Sequence, residues 1–448
     1  MIPRILLLAI LLTIPFISNA QTAITIEDAI QIALENNYQL KQAENNLSLS
    51  DNDILSAKAD FLPSVSASYN ATRRIGQQFD QTTVTFENVT TNSMGGNLNS
   101  GITLFNGFSN IVNLRRANTN KEIQIQESQR LRENIIFTTA SRFLQVILNE
   151  ELLRISRENL SVSRQQYEQI EAQVEVGRSP SVDLLNQASL VANDELLVIQ
   201  RENALENSIT FLMRIMQDDS GRDYELIMPE VSDLNLIPIE LNLEEMVETA
   251  MNNRRDLRAQ ELLIERNEFD ESLARANLLP TLNASFGISG SYNERFRDID
   301  GSPLSFGEQF FDRNVNRFIG FSLQIPIFDN LSRRTSLQST KINLRNSRLE
   351  LDNIKYQINE EVRQAYTDYQ SIVKELESSN TALIASERAY ETEVQRYEVG
   401  ASTLIELNQA NANFVEAQSN RIQTIYNFVF QEKVLEFYLG RLTASMDL

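Results

Sequence analysis

The chain has 448 residues, 61 acidic and 40 basic side chains, a formal charge of -21, and neither cysteine, histidine nor tryptophan. That composition excludes disulfides, thiolate catalysis, cysteine-linked lipid and the commonest soft metal sites, so no metal and no cofactor is expected; the acidic balance repels nucleic acid. The 14 Gly and 9 Pro sit mostly in two windows, 61–107 and 280–326, and helices are expected to fill most of what remains.

The first 20 residues read as a cleaved secretory signal peptide. Arg4 supplies the positive end, Ile5 to Ile17 the apolar core and Ser18-Asn19-Ala20 a small-x-small site. Cleavage there would leave a chain beginning at Gln21 with a formal charge of -22. Residues 21–216 form a first structural repeat. Thr25-Ile26-Glu27-Asp28 opens it as a capping box, and a helix is predicted from Glu27 to about Asp60. Two strands follow, separated by a polar segment at 73–96 that reads as an outward-facing loop. From Phe108 to Val176 there is neither glycine nor proline, which predicts a very long helix. It breaks at Gly177, and a shorter helix runs from Val182 to about Met216.

Residues 217–241, with Gly221, Pro229 and Pro238, read as a connector of loops and short segments, and 242–442 repeat the whole plan. Asn242-Leu243-Glu244-Glu245 answers the first capping box at an offset of 217, which still holds at Leu62-Pro63 and Leu279-Pro280. At Val176-Gly177 and Val399-Gly400 the offset is 223. The second loop is placed at 294–316, the second long helix at Leu331 to Tyr397, and the last helix at Thr403 to about Tyr438; 443–448 is a C-terminal tail. Leu351, Ile354, Ile358, Val362, Ala365, Tyr369, Ile372 and Leu376 draw one narrow apolar stripe along the second rod. A rod of 67 residues is about 100 Å long, and such a stripe is expected to be buried against other copies of the chain.

The strand windows alternate sharply. Val65, Ala67, Tyr69 and Ala71 interleave with Ser64, Ser66, Ser68 and Asn70, while Leu98, Ile102 and Leu104 interleave with Asn97, Asn99 and Thr103. Leu282, Ala284, Phe286, Ile288 and Tyr292 alternate with Asn283, Ser285, Gly287 and Ser289; Ile319 to Ile327 repeat the pattern. A greasy face opposite small uncharged polar groups, rather than Lys and Glu, predicts membrane barrel strands with a wet interior. Four strands cannot close a barrel, because an open edge in lipid leaves backbone groups unpaired at several kcal/mol each. Copies must therefore share one. Two chains would give a barrel filled by its own side chains, whereas three leave a lumen.

Two repeats of helix, strand pair and long helical hairpin, with breaks Val176-Gly177-Arg178-Ser179 and Val399-Gly400-Ala401-Ser402 followed by Asp183 or Glu406 and then Asn-Gln-Ala, resemble the TolC family of outer-membrane efflux proteins. The resemblance spans essentially residues 21–442. It implies a fold that is mainly α with a membrane β-barrel: duplicated helical hairpins forming a periplasmic α-barrel, and four strands per chain in a shared twelve-stranded trimeric barrel. It implies an outer-membrane protein with a periplasmic helical extension and, as partners, a homotrimer, a periplasmic adaptor protein, an inner-membrane transporter and outer-membrane lipid. It also implies an equatorial belt about the connector at 217–241 and a closable periplasmic tip. Tyr397, Glu406, Asp183 and Gln409 would stand at the pore constriction, and Gly177, Arg178, Ser179, Gly400, Ala401 and Ser402 at the tip where an adaptor docks. The chain departs from the family at Gln409, where a second acid would stand, and at Ser402, where the best-known member has arginine; Arg178 from the other hairpin is the candidate substitute. Read from its own residues, Glu406 is a first-turn acid favoured by the helix dipole, and Tyr397 is an interhelical packing residue.

The expected function is a passive exit duct for small molecules or proteins, serving a tripartite efflux pump or a type I secretion system, with no enzymatic step. A periplasmic coiled-coil spacer or adhesin without a conduit accounts for the rods but not for the matched strand pairs. A carboxylate-only hydrolase ranks last, because acids such as Glu360, Glu361 and Asp368 are spread along polar helical faces.

Overall fold

The computed structural model describes residues 22–80, 84–218, 224–227 and 236–443. The predicted signal peptide, much of the predicted connector and all but the first residue of the predicted tail lie outside the described residues. Strand β1 (Thr22–Ile24) leads into α1 (Ile26–Asn36), α2 (Tyr38–Ala59), strands β2 (Ser64–Asp80) and β3 (Thr85–Phe105), and helices α3 (Ser109–Glu175) and α4 (Ser181–Met216). A short β4 (Tyr224–Leu226) pairs in parallel with β1. Then come α5 (Leu243–Asn253), α6 (Arg255–Ala276), β5 (Thr281–Asn293), a single turn α7 (Phe306–Glu308) running into a π turn at Gln309–Arg313, β6 (Asn316–Gln324), α8 (Ser332–Glu398) and α9 (Leu404–Tyr438). Helices α3 and α8 are each 67 residues long, and they end within two residues of where glycine and proline run out in the sequence. No helix among the described residues is long and apolar enough to cross a membrane.

Each helix predicted to open a repeat is in fact two. Thr25 starts α1 with the reciprocal box, accepting from the Asp28 N–H at 3.2 Å and donating its own N–H to the Asp28 carboxylate at 3.0 Å. The chain then turns at Asn37. Its N–H closes α1 on the Ala33 carbonyl, and its side-chain oxygen accepts from the N–H groups of Gln39 (2.9 Å) and Leu40 (3.2 Å). One short polar side chain thus caps the start of α2 while its backbone ends α1. Arg254 holds the matching place between α5 and α6. Its guanidinium, only 5% exposed, is clamped by Asp256 at 2.5 Å and by Glu361.

The chain forms two compact units, one of residues up to Glu44, Glu127–Leu257 and Ile354 onward, the other of Asn45–Gln126 and Arg258–Asn353. Each unit draws on both repeats. In the first, Phe143, Ile147, Leu212, Met216, Ile425 and Phe428 are fully buried. The stripe of α8 is buried there within a single chain: Ile358, Val362, Ala365 and Tyr369 are at most 2% exposed, and the Tyr369 ring lies 5.8 Å from Phe428 of α9. That corrects the expectation that only other copies could cover it. The hairpin partner α9 is joined to α8 by a sharp turn, so the nearest apolar surface belongs to the same chain.

In the second unit four antiparallel strands form one sheet in the order β2-β3-β5-β6. The register sorts the faces cleanly, because directly opposed residues share a face. Ala67 faces Leu98, Leu98 faces Ile288, Leu282 faces Leu323 and Phe286 faces Ile319. On the other face Ser68 opposes Asn97, with a 2.7 Å hydrogen bond, and Thr103 opposes Asn283 at 3.0 Å. Away from its far end the apolar face is bare: Val65, Phe321 and Ile319 are 67–75% exposed.

At the far end of the sheet one expectation fails, and the loop expected at 294–316 is present but packed against the sheet. β2 and β3 are 17 and 21 residues long, so most of the segment 73–96, predicted as a loop, is a continuing hairpin. Its Thr, Val, Ile and Phe positions suit a pleated ribbon, and the Phe79 and Phe86 rings, 5.3 Å apart, meet directly across it. The segment 294–316 is instead folded back on the apolar face. Phe310 sits against two glycines there: a Cβ on Gly96 would lie 2.6 Å from the ring, and one on Gly290 2.3 Å from the Phe310 carbonyl. Tyr69, Tyr292, Phe306 and Phe311 gather around it. β6 stops at Gln324, two residues before Pro326, so Ile325 and Ile327 lie beyond the ladder.

Candidate functional site

The predicted tip residues lie on the two hairpin turns of the first unit, α3–α4 and α8–α9. The turns share one backbone solution. Gly177 and Gly400 have φ of +73° and +72°, the left-handed region that L side chains avoid, with open space around both. At the first, the Gly177 N–H donates to Val174 O (3.0 Å) and the Arg178 N–H to Gln173 O (2.8 Å). At the second, Gly400 donates to Tyr397 O (3.0 Å) and Ala401 to Arg396 O (2.7 Å). These paired bonds satisfy carbonyls that a helix end would otherwise leave bare.

After the glycine the turns diverge. Pro180 precedes α4 and offers no side-chain cap; Ser179 bonds back to Gln173 at 2.9 Å, and the Asp183 N–H donates to Pro180 O at 3.1 Å. Thr403 precedes α9 and forms a capping box with Glu406. The Thr403 N–H and hydroxyl donate to the Glu406 carboxylate at 2.8 and 3.0 Å, and the Glu406 N–H donates to Thr403 Oγ1 at 3.3 Å. Those bonds, the backbone one first, hold the exposed Glu406 carboxyl below its ordinary range. Gln409 is exposed and donates to Asn413 at 2.9 Å. The Ser402 hydroxyl is buried and has no partner among the described residues.

Tyr397 and Asp183, on different hairpins, lie within electrostatic reach of one another. Burial pushes the Tyr397 phenol up, and the Asp183 charge adds to that. Arg178 is exposed and makes no ion pair among the described residues. The cation at the second turn is Arg396, which pairs with Glu393, donates to the Ala401 carbonyl at 3.2 Å and acts electrostatically on Glu406. Sequence reasoning missed Arg396. Its signal was a basic side chain in the last turn of a helix, the usual place to meet bare carbonyls.

A second missed feature lies between the hairpins. Asn411 of α9 donates to Asn159 of α3 at 2.9 Å, and Asn408 donates to Gln187 of α4 at 3.1 Å. Gln187 is fully buried and reaches the Ser163 carbonyl at 3.0 Å, while the Ser163 hydroxyl donates to Asp194. Burial raises the Asp194 carboxyl, and hydrogen bonds from Ser163 and Asn159 pull it the other way. The seam is therefore held by amides and hydroxyls where an apolar stripe would be usual. Spacing of three, four and seven among Asn159, Ser163, Gln187, Asp194, Asn408 and Asn411 marks it in the sequence.

No group of His, Cys, Asp and Glu fit for a metal occurs among the described residues. The site offers carboxylates, a phenol and hydrogen-bonding turns, with no nucleophile-base pair.

Comparison with known proteins accords with this picture. The sequence model of the family described as outer membrane efflux protein matches residues 29–216 and 246–441. The outer membrane efflux protein BepC of Brucella suis is 20% identical over 422 residues, 94% of this chain and 86% of that protein. The Campylobacter jejuni CmeC outer membrane channel superposes with a TM-score of 0.81 at 16% identity, covering 94% of this chain and 87% of the other. The open state of the Neisseria gonorrhoeae MtrE outer membrane channel gives 0.76 at 16% identity, covering 93% and 88%. At such identities the structures speak for the fold.

Proposed function

The chain belongs to the outer membrane efflux protein family, and from that premise we propose that it works as a homotrimer, the exit duct of a tripartite efflux pump or a type I secretion system. It is an outer-membrane channel protein, not an enzyme, with a helical part extending into the periplasm. One observation carries the finer reading: a four-stranded sheet with two free edges, apolar on one face and wetted by Ser, Asn, Thr and Gly on the other. Three such sheets close a twelve-stranded barrel with the polar face inward. The dimensions agree. From Leu282 to Tyr292 β5 climbs about 33 Å, and at a tilt of roughly 40° that spans about 25 Å of depth, the height of a barrel's apolar band. The aromatic cluster around Phe310 then stands at the upper boundary, where aromatic girdles sit.

In this reading the tip hairpins face a periplasmic adaptor, which contacts Gly177, Arg178, Ser179, Gly400, Ala401 and Ser402 and links the duct to an inner-membrane transporter. Asp183, Tyr397, Glu406 and Gln409 surround the constriction. The Asp183 charge, which adds to the upward shift that burial gives the Tyr397 phenol of the other hairpin, supports that grouping. Threefold repetition makes Glu406 a ring of carboxylates that favours cations. Opening splays the hairpins.

Mass measurement of the detergent-extracted particle tests the assembly. Three copies are expected, and a stable single copy overturns the duct. Glu406→Gln is expected to lower cation preference in single-channel recordings, and unchanged selectivity removes Glu406 from the constriction.

A further inference from the structure

We infer that Phe318 is a specificity residue of the duct, a contact point for uncharged cargo that carries a planar ring. The inference rests on the duct reading, in which the polar face of the sheet borders the lumen, and it adds a class of cargo to that reading. Between Ser64 and Thr72, Ser93 and Thr103, Thr281 and Asn293, and Asn316 and Gln324, every position on that face is Ser, Thr, Asn, Gln or Gly, with one exception. The exception is Phe318, opposed to Gly287 in the β5–β6 ladder.

The ring is built into the wall. A Cβ at position 287 would lie 2.2 Å from Phe318 Cε1, 2.5 Å from its Cζ and 2.8 Å from Asn99 Oδ1, so glycine makes the seat the ring occupies. Gly287 is buried beneath it, while Phe318 itself stays 49% exposed. Within those spans the wall carries no charge and does not sort ions; charged side chains such as Arg74 and Glu87 come only further out on the β2–β3 arms. Its hydroxyls and amides exchange hydrogen bonds with water and with passing polar groups at little net gain. Within those spans Phe318 is the one place on this face where cargo loses apolar surface to the wall, and a ring on the cargo adds the edge or face contact that aromatic pairs favour. Each copy in a shared barrel contributes one such ring.

Two measurements on the full-length protein in lipid nanodiscs test this separately from the duct itself. The chain has no tryptophan, so Phe318→Trp and Phe321→Trp each give a single reporter. The indole of Phe318→Trp is expected to be quenched by aqueous acrylamide and spared by brominated lipid, and that of Phe321→Trp, on the apolar face, to do the reverse. Lipid quenching at both positions overturns the duct reading. Riboflavin, a neutral tricyclic, is then compared with ribitol, its side chain without the ring, by saturation-transfer NMR against the native protein, Phe318→Leu and Gly287→Ala. Affinity for riboflavin should fall roughly two- to tenfold in both variants, the range one ring contact supplies, with ribitol unchanged. Equal riboflavin binding in all three proteins, or an equal loss for ribitol, overturns the assignment of Phe318 and leaves the duct standing.

Discussion

The two hairpin turns use the same backbone and different side chains. Both place glycine at positive φ and close the outgoing helix with the same pair of bonds. Past that point α4 starts on Pro180 with no cap, whereas α9 starts on a capping box that engages Glu406. Duplication has kept the part that reverses the chain and has let the part that carries charge drift. Asp183 is free to act on Tyr397 of the other hairpin, while the Glu406 carboxylate is tied to its own helix.

The largest expected effect tests what the turns share. Valine at position 177 or 400 forces an L side chain into the left-handed region, at about 1 to 2 kcal/mol. Gly177→Val and Gly400→Val should loosen the last turns of α3 and α8 equally by hydrogen exchange, and a large difference would mean the turns are held by something other than backbone. Next comes the cap. Thr403→Ala should cost the start of α9 about 1 kcal/mol, while Pro180→Ala leaves α4 nearly unchanged, again by amide protection. The pH dependence is smaller and one-sided. Because Glu406 titrates below its ordinary value of 4.5, its support of α9 is present above that value and is lost as pH falls through the lowered one. Amide protection at Ile405 to Leu407 should fall in that acid window while the start of α4 holds. Smallest is Asp183→Asn. It should bring the Tyr397 phenol part of the way down, since burial is the larger cause, as read by ultraviolet titration against Tyr397→Phe.

The helical architecture was legible because glycine and proline punctuate it. α3 and α8 end two residues before Gly177 and Gly400, and no glycine or proline interrupts either. The strands were legible where one face is greasy, as at Leu282 to Ile288. Beyond Thr72 the arms of β2 and β3 lose the regular alternation, and pairs such as Arg73 with Asn92 interrupt the greasy face that Ile75 and the Phe79–Phe86 pair continue. The break at Asn37 was hidden for a different reason: its side chain caps through bonds to residues two and three ahead, which a helix-periodic reading passes over. At the tip, the resemblance singled out Glu406 but not its capture by Thr403, and the signal of Arg396, a basic side chain in the last turn of α8, went unread.

The unpaired margins of β2 and β6 bear on biogenesis. In lipid each ladder position left open there costs several kcal/mol, so a newly exported copy has no stable way to insert by itself. In the shared barrel proposed above, copies must meet before the sheets cross into hydrocarbon. Delivery of the duct is then limited by encounter, rising steeply with the supply of nascent chains, and a copy that fails to find its companions is left with bare strands, the form most prone to clump.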